Sequence, residues 1–316
     1  MPFEEIKRRL DIKKLWLPYG IIWLIIPGLL FCNHNRPATL PQFDGNLAFQ
    51  YLTKQVDFGP RVPGTPAHNK CLDYLASELK KYGGRVTMQP FLGRLALLNK
   101  SVTMTNIVAS FWLDKPERVL LCAHWDSRPM ADQDPRPENR SKPIPGANDG
   151  ASGVAVLLEI ARLIHTQEPA YGVDIVFFDG EDAGVEGQSN TYALGSQHFA
   201  QNAALNYRPK FGLLLDMVGD KDLQIYQEQN SLRYAPNIVK MVWSHAEMLG
   251  LNAFIPTPGY EVTDDHMPLL KVGIPCIDII DFNYKYWHTL EDTPDKCSPQ
   301  SLAQVGQLIV SLLYNP

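Results

Sequence analysis

Positive charge is in short supply: 29 Lys and Arg stand against 34 Asp and Glu, a formal net charge of -5. No stripe of basic residues interleaved with aromatics occurs, so the chain lacks the field that holds a phosphate backbone, which argues against nucleic acid as a partner. Cysteine is scarce too. Cys32, Cys71, Cys122, Cys276 and Cys297 show neither the close pairing of a zinc ribbon nor the density of a disulfide scaffold, and their connectivity stays open. Repeats and low-complexity tracts are missing. With 45% hydrophobic and 20% charged residues the composition is that of an ordinary globular body, neither disordered nor a multi-span membrane protein.

What is present divides at the N-terminus. Lys7, Arg8, Arg9, Lys13 and Lys14 precede an apolar run over 20–31, the layout of a signal peptide or short signal anchor. Residues 1–32 are therefore expected to export the chain and tether its body at a membrane, on the periplasmic or lumenal side. Cys32 follows Leu29-Leu30-Phe31 as in a lipoprotein cleavage site, although Phe31 is bulkier than such sites usually carry. Cleavage, lipidation and retention are all left open. Residues 33–43 form a polar, proline-containing linker, and 44–316 hold one large core, expected to work as a monomer.

Within that body, short apolar or β-branched runs predict strands at 86–91, 102–111, 119–123, 173–178, 211–217 and 274–280. Helical spacing marks 44–58, 68–82, 151–165, 195–201, 236–249 and 298–314. Several strands are apolar on both faces, as in a sheet covered on both sides. The alternation predicts a three-layer α/β/α sandwich with a central mixed sheet, mixed because the early strands read as hairpins.

Ligands in open α/β sheets collect beyond the carboxyl ends of the strands, and there the chain is polar. His124-Trp125-Asp126-Ser127 follows one strand, and Gly146-Ala147-Asn148-Asp149-Gly150 opens a helix. Asp179-Gly180-Glu181-Asp182 follows another strand, and Asp216 ends a third. Asp264-Asp265-His266 reads as a loop before the last strand, and Trp287-His288-Thr289 lies after it. Each alone is a solvated loop more often than a site. In series they supply the oxygen and nitrogen donors of an open zinc site. Glu181 and Asp182 fit a division of labour in which one carboxylate binds metal while its neighbour moves protons.

In their order these motifs resemble the M28 zinc aminopeptidase family, and within it the glutaminyl-peptide cyclotransferase branch. The branch is pointed to by Asp264-Asp265-His266-Met267-Pro268, by the aromatic in Trp287-His288-Thr289 and by Gly195-Ser196-Gln197-His198-Phe199. The resemblance runs from about Asp44 to the C-terminus. It implies one zinc per chain held by Asp149, Asp182 and His288, with Glu181 as acid and base. It further implies Asp216 and Asp264 as a hydrogen-bonded carboxylate pair near Glu181, Asp264 and Trp287 at the substrate, and a reaction that closes an N-terminal glutamine of a peptide or protein to pyroglutamate with loss of ammonia.

Two departures bear on this. The family more often has glutamate where this chain has Asp182, one carbon shorter. The loop over 183–190 carries Gly184, Val185, Glu186 and Gly187 where animal cyclotransferases place a pocket tryptophan, so Trp125 and Trp287 are the remaining aromatic candidates. Two rivals follow from the same residues. In a two-zinc aminopeptidase, His124, Asp149, Asp182, Asp216 and His288 together would supply two metals, with Asp149 bridging. In an inactive binding domain of the same fold, ligands or the acid/base would be lost, and here every such position holds a metal-competent residue.

Overall fold

A computed structural model describes residues 40–315; the expected membrane signal, Cys32 and most of the linker lie outside the described residues. In chain order the elements are α1 (Gly45–Val56), α2 (Pro66–Lys81), β1 (Arg85–Leu95), β2 (Lys100–Phe111), β3 (Arg118–His124), α3 (Ala151–Thr166) and β4 (Gly172–Phe178). They continue as α4 (Leu194–Asn202), β5 (Gly212–Asp216), β6 (Ile225–Gln227), α5 (Gln229–Tyr234), α6 (Pro236–Met248), β7 (Phe254–Pro258), α7 (His266–Lys271), β8 (Cys276–Ile280) and α8 (Pro299–Tyr314). Local chemistry sets several starts. Asp44 accepts the Asn46 and Leu47 N–H groups ahead of α1, and Thr65 and Ser298 cap α2 and α8, each followed by a proline whose missing N–H costs nothing there.

Six strands form one mixed sheet in the order β1-β2-β4-β3-β5-β8. The β1–β2 and β2–β4 pairs are antiparallel, and β4, β3, β5 and β8 run parallel. Alternation along each parallel strand sends side chains to opposite layers. Val119, Leu121 and Ala123 of β3, with Val173, Ile175 and Phe177 of β4, pack on the side of α1, α3 and α8. Leu120, Cys122, Val176 and Phe178 face the other way, with Phe199 of α4 and Leu269 of α7. Hence the strands read as continuous apolar runs, and the expected α/β/α sandwich with its mixed sheet is the observed fold.

The structure adds a two-stranded parallel sheet of β6 and β7 and the short helix α5, none of which the hydrophobic pattern marks. β6 has three residues and β7 contains prolines, too little for a period-two pattern to stand out. The expected loop at Asp264-Asp265-His266 is corrected in part: His266 begins α7, because the buried Leu269 must reach the core below β8. Four cysteines are described, all buried and free. Cys122 and Cys276 approach to 4.0 Å between sulfurs, but β5 runs between their strands. Two strand spacings of about 4.8 Å put their backbones beyond the span of a disulfide.

Candidate active site

Parallel strands deliver the site. His124 is the last residue of β3 and Asp216 the last of β5, while Glu181 and Asp182 stand in a 3-10 turn (Glu181–Ala183) after β4 and His288 in the loop after β8. Asp149 stands one residue before α3, with Gly150 between them. Its loop depends on two glycines in the left-handed region, Gly146 (φ 68) and Gly150 (φ 91). A Cβ on Gly146 would stand 2.7 Å from the Arg61 guanidinium, and one on Gly150 2.5 Å from the Asp126 carbonyl, so neither position accepts a side chain. His288 itself has φ 55, a conformation that costs a non-glycine residue about 1 kcal/mol and turns its ring inward.

Two sets of donors result, sharing one residue. Atoms of Asp149, Asp182 and His288 lie within 4.8 Å of one another, and so do atoms of His124, Asp149 and Asp216. His288 Nε2 is 3.2 Å from Asp182 Oδ1 and 3.7 Å from Asp149 Oδ2. His124 Nε2 is 3.2 Å from both Asp149 Oδ1 and Asp216 Oδ1. The Oδ2 atoms of Asp149 and Asp182 are buried without a hydrogen-bond partner, an arrangement that leaves lone pairs costly unless a cation takes them. All five residues are buried. This donor set fits a divalent metal.

Glu181 is half-buried beside that group, and its backbone N–H donates to Asp126 Oδ1 at 3.1 Å. Burial first, then the neighbouring Asp264 and Asp182, push its carboxyl well above the usual carboxylate range. Asp264 is pushed up to about 6 by burial and by Asp216. Asp264 Oδ1 accepts the Asp265 N–H, and Asp216 Oδ1 faces His124. Asp216 and Asp264 line the same cavity, and the rise of Asp264 reflects the repulsion of the two when both are ionised.

A cavity of about 340 Å³ opens over the group, and Glu181, Asp264, Asp216, Trp287 and the first donor set all line it. Trp125 does not; it is fully buried and stacks on His68 at 4.1 Å, a core residue. The sequence pattern passed over a second layer of supports. Asp132 stands 3.4 Å from His288 Nδ1 and is itself held by Arg128 at 2.6 Å. Asp292 accepts the Asn148 and Asp149 N–H groups and the Tyr284 hydroxyl. Arg61, fully buried, donates to the carbonyls of Trp125, Pro145 and Gly146, tying two site loops together. Of the charged supports only Asp126, inside the His124-Trp125-Asp126-Ser127 motif, carried an available hint.

Stability without metal should depend on pH. Asp149 is pushed up to about 7 by burial and Asp182, and burial pushes Asp292 and Asp281 up to about 6. An acid whose pKa is raised on folding contributes stability that is complete below its unfolded value and lost as pH rises through the folded one. Burial opposes ionisation of Asp182 also, but His288 and Arg128 hold it below the usual range, so its loss comes only in stronger acid. Chelated protein should therefore melt at a higher temperature near about pH 5 than near about pH 8, and calorimetry at the two values checks the sign.

Residues 106–313 match the model of peptidase family M28. Similar solved structures include a glutaminyl cyclase from Tannerella forsythia, 44% identical with TM-score 0.83, covering 87% of this chain and 100% of that one. A Zn-dependent exopeptidase from Parabacteroides distasonis is 43% identical with TM-score 0.84, covering 88% and 100%. A leucine aminopeptidase precursor from Bacteroides thetaiotaomicron is 41% identical with TM-score 0.85, covering 88% and 99%. With the sheet, the shared-aspartate donor sets and these matches together, the chain belongs to peptidase family M28.

Proposed function

We propose that the chain is a zinc-dependent glutaminyl-peptide cyclotransferase that converts the N-terminal glutamine of peptides or proteins to pyroglutamate and ammonia. The observation that carries this is the setting of Glu181: a carboxyl raised by burial, Asp264 and Asp182, lining a cavity next to the Asp149, Asp182 and His288 donors. Cyclisation needs a group that first takes a proton and then gives it back, and such a group works best with a pKa near the operating pH.

When bound by Asp149, Asp182 and His288, zinc would supply Lewis acidity toward the side-chain amide oxygen of the glutamine. Glu181 takes a proton from the substrate's α-amine as that nitrogen attacks the amide carbon, and returns it to the departing nitrogen, which leaves as ammonia. Asp264, buried with Oδ2 unpartnered, is placed to accept a hydrogen bond from the substrate amine. Trp287, stacked on the His288 ring at 3.7 Å, forms an apolar wall that excludes water, so the amine rather than water attacks. The shorter Asp182 has its Oδ1 3.3 Å from Arg128 Nη1 and 3.2 Å from His288 Nε2.

One observation favours a second reading, a two-metal aminopeptidase: His124 and Asp216 close on Asp149 as tightly as the first set does on itself. Against it, the Asp264-Asp265-His266 segment and Trp287 beside His288 fit the cyclotransferase pattern. Export across a membrane remains part of the proposal, resting on the basic and apolar residues of 1–32.

The reaction separates the readings. Incubated with a Gln-initiated peptide, the protein should release ammonia and a product about 17 Da lighter, and a chelator should stop both. A peptide shortened by one residue, with two zincs per chain, would establish the aminopeptidase instead.

A further inference from the structure

Beyond the catalytic cavity the wall does not end at Trp287. Phe282 lies 5.6 Å from Trp287 between ring centroids, and Tyr260 lies 5.4 Å from Phe282, so three rings run in series from the His288 side outward. Exposure rises along the series: Phe282 is 37% and Tyr260 51% exposed, aromatic surface that water penalises. A smaller depression lined by Tyr226, Glu228 and Tyr260 adjoins the cavity and shares Val262, Ile280 and Phe282 with it.

The outermost ring is fixed in place. The Tyr260 hydroxyl donates to Asn283 Oδ1 at 2.8 Å, and the Asn283 N–H donates to Asp281 Oδ1 at 3.1 Å. On the backbone side the Tyr260 carbonyl accepts the Gln229 N–H at 3.0 Å, and Gly259 N–H donates to the Gln227 carbonyl at 2.8 Å. A side chain held at both ends presents its face at little further entropic cost to a ligand.

We propose that Phe282 and Tyr260 form a subsite for the second residue of the substrate peptide, and that it selects an apolar or aromatic side chain there. The inference rests on the cyclotransferase reading and deepens it. With the terminal glutamine in the cavity, the residue after it lies at the cavity wall, where Phe282 is shared with the adjoining depression that Tyr260 lines. A second-position aromatic stacks on them and removes apolar surface of both partners from water; glycine there gains nothing.

The test compares ammonia release from Gln-Phe-NH2 and Gln-Gly-NH2, with the wild type and with Tyr260→Ala. Wild-type kcat/KM should favour the phenylalanine peptide by about tenfold, and Tyr260→Ala should reduce that ratio to about twofold. Tyr260→Phe, which keeps the ring and loses the hydroxyl bond to Asn283, should retain more of the ratio than the alanine variant. Equal rates for the two peptides with the wild type, or a ratio that Tyr260→Ala leaves untouched, would overturn the subsite while leaving the cyclotransferase standing. Ammonia from neither peptide would instead bring down the functional reading, and the subsite with it.

Discussion

Replacing Glu181 by Gln should lower kcat for cyclisation by about 10²- to 10⁴-fold, the usual contribution of a positioned acid and base, while the protein keeps its full content of zinc. The substitution preserves shape and removes only the capacity to take up and return a proton. The backbone around it is held independently of that side chain, by Asp126, which accepts the N–H groups of residues 181 and 182 at 3.1 and 3.3 Å. Asp182 points away toward His288, so the donor set is left whole. Metal analysis beside steady-state ammonia release therefore distinguishes this role from a structural one. Activity within about tenfold of wild type would remove Glu181 from the mechanism, and a parallel loss of zinc would move it among the ligands.

Much of this site was legible because sequence order and strand order converge. His124, Glu181, Asp182, Asp216 and His288 each follow or end an apolar strand, and parallel strands deliver all of them to one edge of the sheet. The sandwich was legible for a related reason: β3, β4 and β5 are buried almost throughout and are mainly apolar on both faces. What escaped depends on contacts between distant segments. Arg61, Asp132 and Asp292 look like ordinary loop charges until the fold sets them against Gly146, His288 and the Asp149 backbone. Tyr260 and Phe282 lie 22 positions apart, and their pairing follows only from the way the loop after β7 folds over the end of β8. The number of metals is not a property of residue types at all, since the same five side chains serve one site or two.

That question gives the second large effect. Asp149 belongs to both donor sets, so Asp149→Ala should weaken zinc binding by more than about a hundredfold and reduce turnover below about 1% under either count. His124→Ala divides the cases: with one zinc, content stays at one per chain; with two, one of them is lost. A stability measurement sharpens the result. In the metal-free wild type Asp149 is buried, faces Asp182 and is pushed up to about 7, so near neutral pH its ionised form opposes folding. Alanine relieves that opposition. The metal-free Asp149→Ala protein should melt at or above the temperature of the metal-free wild type near about pH 8, and added zinc should raise only the wild type. A variant that melts well below the chelated wild type would mean that Asp149 is held mainly by its hydrogen bonds to His124. Only zinc retained by Asp149→Ala would remove the aspartate from the ligands and leave the metal to rest on Asp182 and His288 with a donor from elsewhere.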